Sequence, residues 1–264
     1  MVNQKIKNMK KINQTIKSLI DDNLLGIKVS FEDEGADFMD VIFLKAFCDK
    51  NEIPLTLKIA GAEAIRNIKD ASKLQVKKLV APMIESKFAL EKFIKSSQKY
   101  YSIEDGKICI NVESKQAYDN IDEMFSSDYI NKLSSITVGR GDLVQSYDMD
   151  RYDGAVDSDK IFEITKNVFK LARSKNMGCA LGGSMTADSE GFIKKLIDEN
   201  LLDIFETRNV MVKSEALQKY KFKDIIESAL DFELNYLMFK YTMWDNLINH
   251  DKLRIQRLSK KNVQ

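Results

Sequence analysis

Ile108-Cys109-Ile110-Asn111-Val112-Glu113-Ser114 and Ser135-Ile136-Thr137-Val138-Gly139-Arg140-Gly141-Asp142-Leu143 are the two stretches on which the fold turns. Each is a short apolar, β-rich run that closes on a carboxylate, Glu113 in one and Asp142 in the other. If the runs are neighbouring parallel strands, both acids emerge at one edge of the sheet, where they can hold a divalent cation between them. The plainer alternative is that each acid caps the helix that follows its strand. Residue type alone leaves both readings open.

Working outward, the same unit recurs. Apolar runs at 27–31, 55–61, 78–84, 177–183 and 202–212 join those at 107–113 and 135–142 to give seven expected strands. Between them, spacings of three and four predict helices at 37–51, 63–74, 87–99, 115–125, 158–175 and 188–199. A strand every 25–30 residues or so with a helix between is the pattern of βαβ units and a parallel sheet. Neither GxGxxG nor GxxxxGK[ST] follows a strand, so nucleotide-binding open sheets are disfavoured. The fold expected is α/β, a TIM (β/α)8-type barrel with one strand unaccounted for. An N-terminal helix (4–24, within 1–25) precedes the barrel (26–215), and a long helical extension (216–264) follows it, with no boundary that would split the chain into further domains.

Composition narrows the function. The 264 residues carry a formal net charge of +1 with 31% charged residues, so no global field points to nucleic acid or to an anionic membrane. No run of 18 apolar residues and no apolar leader occurs, which predicts a cytoplasmic protein without a membrane span. Cys48, Cys109 and Cys179 sit singly in apolar segments, as buried thiols in a reducing compartment do. The single histidine, His250, lies far down the C-terminal tail, so a Cys/His zinc site is not expected. The loop at 144–157 is the longest connection, a length that usually carries function. The apolar stripe Ile225, Ile226, Leu230, Leu234, Leu237, Met238, Met243, Trp244 and Leu247 exceeds what one barrel covers, which predicts a homo-oligomer formed through the C-terminal helices.

Val80-Ala81-Pro82-Met83-Ile84-Glu85-Ser86, Ile110-Asn111-Val112-Glu113-Ser114-Lys115-Gln116-Ala117 and Val138-Gly139-Arg140-Gly141-Asp142-Leu143 resemble three successive strand ends of the HpcH/HpaI aldolase/citrate lyase family, one of the phosphoenolpyruvate/pyruvate-binding barrels. The resemblance covers about residues 27–185. It implies a carbon–carbon lyase or aldolase acting on a small 2-oxo acid, with Glu113 and Asp142 holding Mg2+ or Mn2+. It also implies that Lys58 stands where the family places an arginine against the substrate oxygen. The family's histidine acid/base has no counterpart before His250, and Glu32 or Glu34 is the expected substitute. Gly139, Arg140 and Gly141 are expected to offer backbone N–H groups to the substrate, or to form a plain turn, and Ser184 to floor the site beside Gly182 and Gly183. Glu206 and Arg208, two apart, read as a structural ion pair, and Arg66 as a surface residue. In the related pyruvate kinase pattern a lysine precedes the metal glutamate by two, and here that place is Asn111. A phosphoenolpyruvate-dependent transferase and a non-catalytic assembly barrel remain the alternatives.

Overall fold

In the computed structural model, which describes residues 13–32 and 34–261, eight strands close into a barrel in sequence order. They are β1 (Leu25–Ser30), β2 (Leu55–Lys58), β3 (Lys78–Ala81), β4 (Lys107–Val112), β5 (Ser135–Gly139), β6 (Gly178–Gly182), β7 (Ile204–Glu206) and β8 (Val210–Lys213). Residues 4–12 of the expected first helix and Asp33 lie outside the described residues. Its remainder is α1 (Gln14–Asp21), capped by the Asn13 side chain and buried through Ile16 and Leu19. The strands are apolar on both faces, as a sheet wrapped by helices requires. Their lumen-facing and helix-facing residues, among them Ile27, Val29, Leu57, Leu79, Ile110, Val112, Ile136, Val138, Leu181 and Phe205, form one buried core.

The missing strand comes from the expected run at 202–212, and its direction corrects the all-parallel expectation. That run breaks at Thr207 and folds back on itself. β8 pairs antiparallel with β7 on one side and with β1 on the other, while the other seven strands are parallel. The break carries neither Gly nor Pro, so the hydropathy pattern passes through it unmarked. The turn is closed by Thr207 N–H donating to the Val210 carbonyl, at 2.9 Å. It is then pinned from outside by Glu233, whose Oε1 accepts from the Thr207 hydroxyl (2.5 Å) and from the Asn209 N–H (2.9 Å).

Because β8 returns the chain to the foot of the barrel, the last helix starts at the foot and climbs instead of descending. This helix, 40 residues from Phe222 to Lys261, follows α2 (Phe38–Lys50), α3 (Ile65–Lys73), α4 (Lys87–Tyr100), α5 (Lys115–Asp119), α6 (Ile121–Phe125), α7 (Arg140–Gln145), α8 (Asp159–Ser174) and α9 (Glu190–Asp198), and is α10. Its first half lies against α2 through the ring pairs Phe47–Phe232 (5.5 Å) and Phe43–Phe239 (4.3 Å). Near the top of the barrel, the Tyr236 hydroxyl and the Lys240 ammonium both donate to Asp40. At about 1.5 Å per residue the helix is roughly 60 Å long, well beyond the height of a barrel. No helix among the described residues is long and apolar enough to cross a membrane.

Candidate active site

The C-terminal ends of the strands open into a cavity of about 260 Å³. The residues facing it come from nearly every strand: Lys28 from β1, Lys58 from β2, Asn111 and Glu113 from β4, Thr137 and Gly139 from β5, Gly182 from β6 and Glu206 from β7. Charged side chains on the inside of an apolar barrel are costly unless paired. Here they pair across the lumen. The Lys28 ammonium donates to Glu206, and the Lys58 ammonium sits 2.6 Å from Glu32 and 3.9 Å from Glu113.

Neither acid of the two decisive stretches is a helix cap. Ser114, one residue past Glu113, caps α5 through its hydroxyl, which accepts from the Ala117 N–H. β5 ends at Gly139 rather than at the expected 142, and Gly139 opens α7 with no side-chain cap. Asp142 therefore stands in the first turn of that helix instead of on the strand. Both carboxylates are left facing the cavity.

Glu113 is 2% exposed and held on both oxygens. Its Oε1 accepts from the Met83 N–H at 3.0 Å, and its Oε2 accepts from the Asn111 amide at 3.0 Å. Met83 reaches that position with a left-handed backbone, φ +49°, at the end of β3, an arrangement that apolar patterning does not reveal. Gly139 clears the space: a Cβ there would come within 2.7 Å of Glu113 Oε2. Gly182 does the same one strand further on, where a Cβ would meet Glu206 Oε1 at 2.8 Å. Burial pushes the Glu113 carboxyl above the usual range; Lys58, Asn111 and Met83 oppose that push, and Asp142 adds to it.

A buried carboxylate whose proton affinity is raised by burial and by a neighbouring acid is a site a cation relieves. No group of three metal-ligating side chains gathers among the described residues. Two carboxylates with the remaining positions left to water and ligand oxygens is the arrangement Mg2+ favours, since it gives up its waters reluctantly. The donor set fits a hard divalent cation held by Glu113 and Asp142.

The other expected residues divide. Lys58, Gly139, Gly141, Ser184 and Glu34 face the cavity, and Glu34 Oε2 accepts from the Asn209 amide at 3.0 Å. Glu32 instead lies behind Lys58 as its ion-pair partner. The Arg140 side chain does not line the cavity. Its guanidinium is fully buried and turned away, donating to Asp157, to the Gly183 carbonyl (3.3 Å) and to the Ser189 hydroxyl (3.3 Å), with Phe192 stacked 4.9 Å from it. It ties the 144–157 loop to the end of β6. Glu206 pairs with Lys28, and Arg208 faces the cavity from the β7–β8 turn. Arg66 is exposed and bridges to Asp70 on its own helix. Sequence reasoning passed over Lys28, Arg151 and Tyr152. Lys28 alone left a signal, a lysine inside an otherwise apolar strand.

The family model of the HpcH/HpaI aldolase/citrate lyases matches residues 57–195, more than half of the chain, from the end of β2 through β6. The chain belongs to the HpcH/HpaI aldolase/citrate lyase family. Among solved structures, citrate synthase SbnG aligns with a TM-score of 0.59 at 12% identity, covering 74% of this chain and 81% of that one. The HpcH/HpaI aldolase from Desulfitobacterium hafniense DCB-2 aligns with a TM-score of 0.58 at 12% identity, covering 80% and 85%. An HpcH/HpaI aldolase/citrate lyase family protein from Burkholderia cenocepacia J2315 gives 0.54 at 12% identity, covering 68% and 77%. At such identity these likenesses establish the barrel, while the family membership rests on the sequence match. No curated protein sequence matches the chain. Within the HpcH/HpaI frame, the matched segment contains Lys58, Glu113, Asp142 and Ser184 and leaves out Glu34, Glu206 and Arg208.

Proposed function

We propose that this HpcH/HpaI barrel is a divalent-metal-dependent carbon–carbon lyase or aldolase that makes or breaks the bond to the methyl carbon of a pyruvate-type 2-oxo acid. The observation that carries the reading is the pair Glu113 and Asp142, neither engaged as a cap, both turned into one cavity beside the Lys58 ammonium. Glu113 and Asp142 would hold Mg2+ or Mn2+, which would supply Lewis-acid charge to a bound 2-oxo acid.

The chain's own residues then do the rest. Lys58, held between Glu32 and Glu113, places a fixed positive charge at the cavity wall where negative charge grows on the keto oxygen. Asn111 and the Met83 N–H fix the Glu113 carboxylate so that it needs no reorientation. Glu34, oriented by Asn209, is the proton carrier on the facing side. In the cleavage direction it takes the hydroxyl proton of the adduct as the carbon–carbon bond breaks and the electron pair moves onto the keto group. An aldehyde or keto product leaves, and Glu34 returns the proton to the methyl carbon as the enolate collapses to the 2-oxo acid, which restores its carboxylate.

Exchange of pyruvate methyl protons in D2O, followed by NMR, tests this without knowledge of the acceptor. Exchange that requires added Mg2+ or Mn2+ and stops with chelator is the expected result. Glu34→Gln is expected to slow it by 10²–10⁴-fold, the usual contribution of a positioned acid/base. Exchange that proceeds equally with chelator present sinks the reading.

A further inference from the structure

We infer that Lys28 is a catalytic residue of the acceptor half of the reaction: its ammonium, braced by Glu206, holds the carbonyl oxygen of the aldehyde or ketone that the pyruvate-type enolate attacks. This rests on the aldolase reading above. The topology divides the cavity. In a closed barrel of eight strands, β5 stands opposite β1 and β4 opposite β8. The wall that would hold the 2-oxo acid is built by β4 and β5, through Asn111, Glu113, Thr137 and Gly139. The wall facing it is built by β1 and the end of β7 with its turn, through Lys28, Glu206, Thr207 and Arg208. None of these four lies within the matched segment, 57–195, so the family match does not say what that wall does.

Stability does not account for Lys28. It is the fourth residue of β1, between Ile27 and Val29, which are fully buried, and its side chain is 13% exposed where it lines the cavity. Barrel interiors are ordinarily filled with branched apolar side chains. Bringing an ammonium and a carboxylate inside costs several kcal/mol of desolvation per ion, and well-packed neutral residues of similar volume often give equal or greater stability. The pair is nonetheless given room. Gly182 on β6 lacks the Cβ that would stand 2.8 Å from Glu206 Oε1. Gly139 on β5 makes the same allowance for Glu113, where a Cβ would meet Oε2 at 2.7 Å. Two buried carboxylates, each with a lysine near it and a glycine on the neighbouring strand, thus face one cavity.

An ammonium has three N–H bonds to give. Glu206 is the one partner of the Lys28 ammonium among the described residues. Asn209 sets Lys28 in register with Glu34: its amide donates to the Lys28 carbonyl (3.1 Å) and to Glu34 Oε2 (3.0 Å), and its carbonyl accepts from the Lys28 N–H (2.8 Å). The ammonium and the proton carrier therefore share one wall. In the addition direction Glu34 takes a methyl proton, the enolate carbon bonds to the carbonyl carbon of the acceptor, and the carbonyl π pair moves onto its oxygen. That oxygen then receives the proton from Glu34. Lys28 keeps its own protons and donates a hydrogen bond to the oxygen while charge grows there.

Two rates on the Mg2+-loaded full chain separate the halves. One is exchange of pyruvate methyl protons in D2O, which needs no acceptor, and the other is addition of pyruvate to glycolaldehyde, glyoxylate or acetaldehyde, both followed by NMR. They are compared in wild type, in Lys28→Met, and in Lys28→Met combined with Glu206→Gln, which avoids stranding a buried carboxylate. In each variant that folds, addition is expected to fall about 10²-fold further than exchange, the usual cost of one oxyanion donor. The double variant is expected to melt no lower than wild type.

Equal slowing of the two rates, no slowing of either, or a double variant that fails to fold makes Lys28–Glu206 a structural pair and overturns the assignment, with the aldolase reading intact. Wild-type protein that exchanges methyl protons but adds to none of the three aldehydes overturns it as well. Wild-type protein that exchanges no methyl proton overturns both.

Discussion

Glu113→Gln is expected to abolish metal-dependent proton exchange of pyruvate, by 10³-fold or more, and to weaken Mn2+ binding by at least 10-fold. The substitution keeps the shape of the side chain, so the Met83 N–H retains its acceptor and Gly139 still faces a group it has room for. What disappears is the charge. Asp142 alone then faces the cation, with Arg151 3.9 Å away competing for it. Burial already holds the Glu113 carboxyl above its usual proton affinity, with Asp142 reinforcing that; removing its charge is therefore not expected to unfold the protein. Loss of exchange together with loss of stability would point to a structural role instead. Mn2+ binding followed by electron paramagnetic resonance, alongside a thermal melt of each protein, separates the two.

Gly183→Ala is expected to be the most destabilising single-methyl change in the chain, costing about 3 kcal/mol. Gly183 has φ +85°, and a Cβ there would lie 2.3 Å from the Gly141 nitrogen and 2.5 Å from the Arg140 nitrogen. Both contacts are with backbone, which has no rotamer to give. The end of β6 would have to separate from the first turn of α7, carrying Asp142 and the Arg140 tie with it. Gly154→Ala is the matched comparison, since its φ is +87° but nothing lies within 4 Å of the added carbon. It should cost only about 1 kcal/mol, the left-handed backbone alone. For a chain of this size the difference corresponds to roughly 5 °C in Tm, measurable by differential scanning calorimetry. Equal effects at the two positions would mean that the β6–α7 contact is looser than the structure places it.

The barrel was legible because six of its strands are single short runs without internal breaks, and helical spacing fills the intervals between them. β8 was not, because Thr207-Arg208-Asn209 turns the chain without glycine or proline and leaves one continuous alternation on the page. Glu113 was legible as an acid ending an apolar strand. That Asp142 lies on a helix was not, since a glycine-flanked arginine after β5 gives no capping signal. The partners of the Arg140 side chain left no signal either: only the fold brings Asp157, Ser189 and Phe192 around it. Arg151 sits in a polar loop where every charge looks solvated, so its buried Nε became visible only once the loop was closed over the strand ends. Glu34 and Glu32 were indistinguishable in an acidic turn. Position separates them, one facing the cavity beside Asn209 and the other paired to Lys58.

The central claim is that Glu113 and Asp142 together hold the cation that binds a 2-oxo acid. A crystal structure of the chain soaked with Mn2+ and oxalate, read by anomalous scattering, tests it most directly. One anomalous peak within about 2.2 Å of an oxygen from each carboxylate is expected, with oxalate chelated to it and Lys58 turned toward the ligand. Oxalate bound without a peak at those carboxylates, or a peak held elsewhere in the barrel, would contradict it.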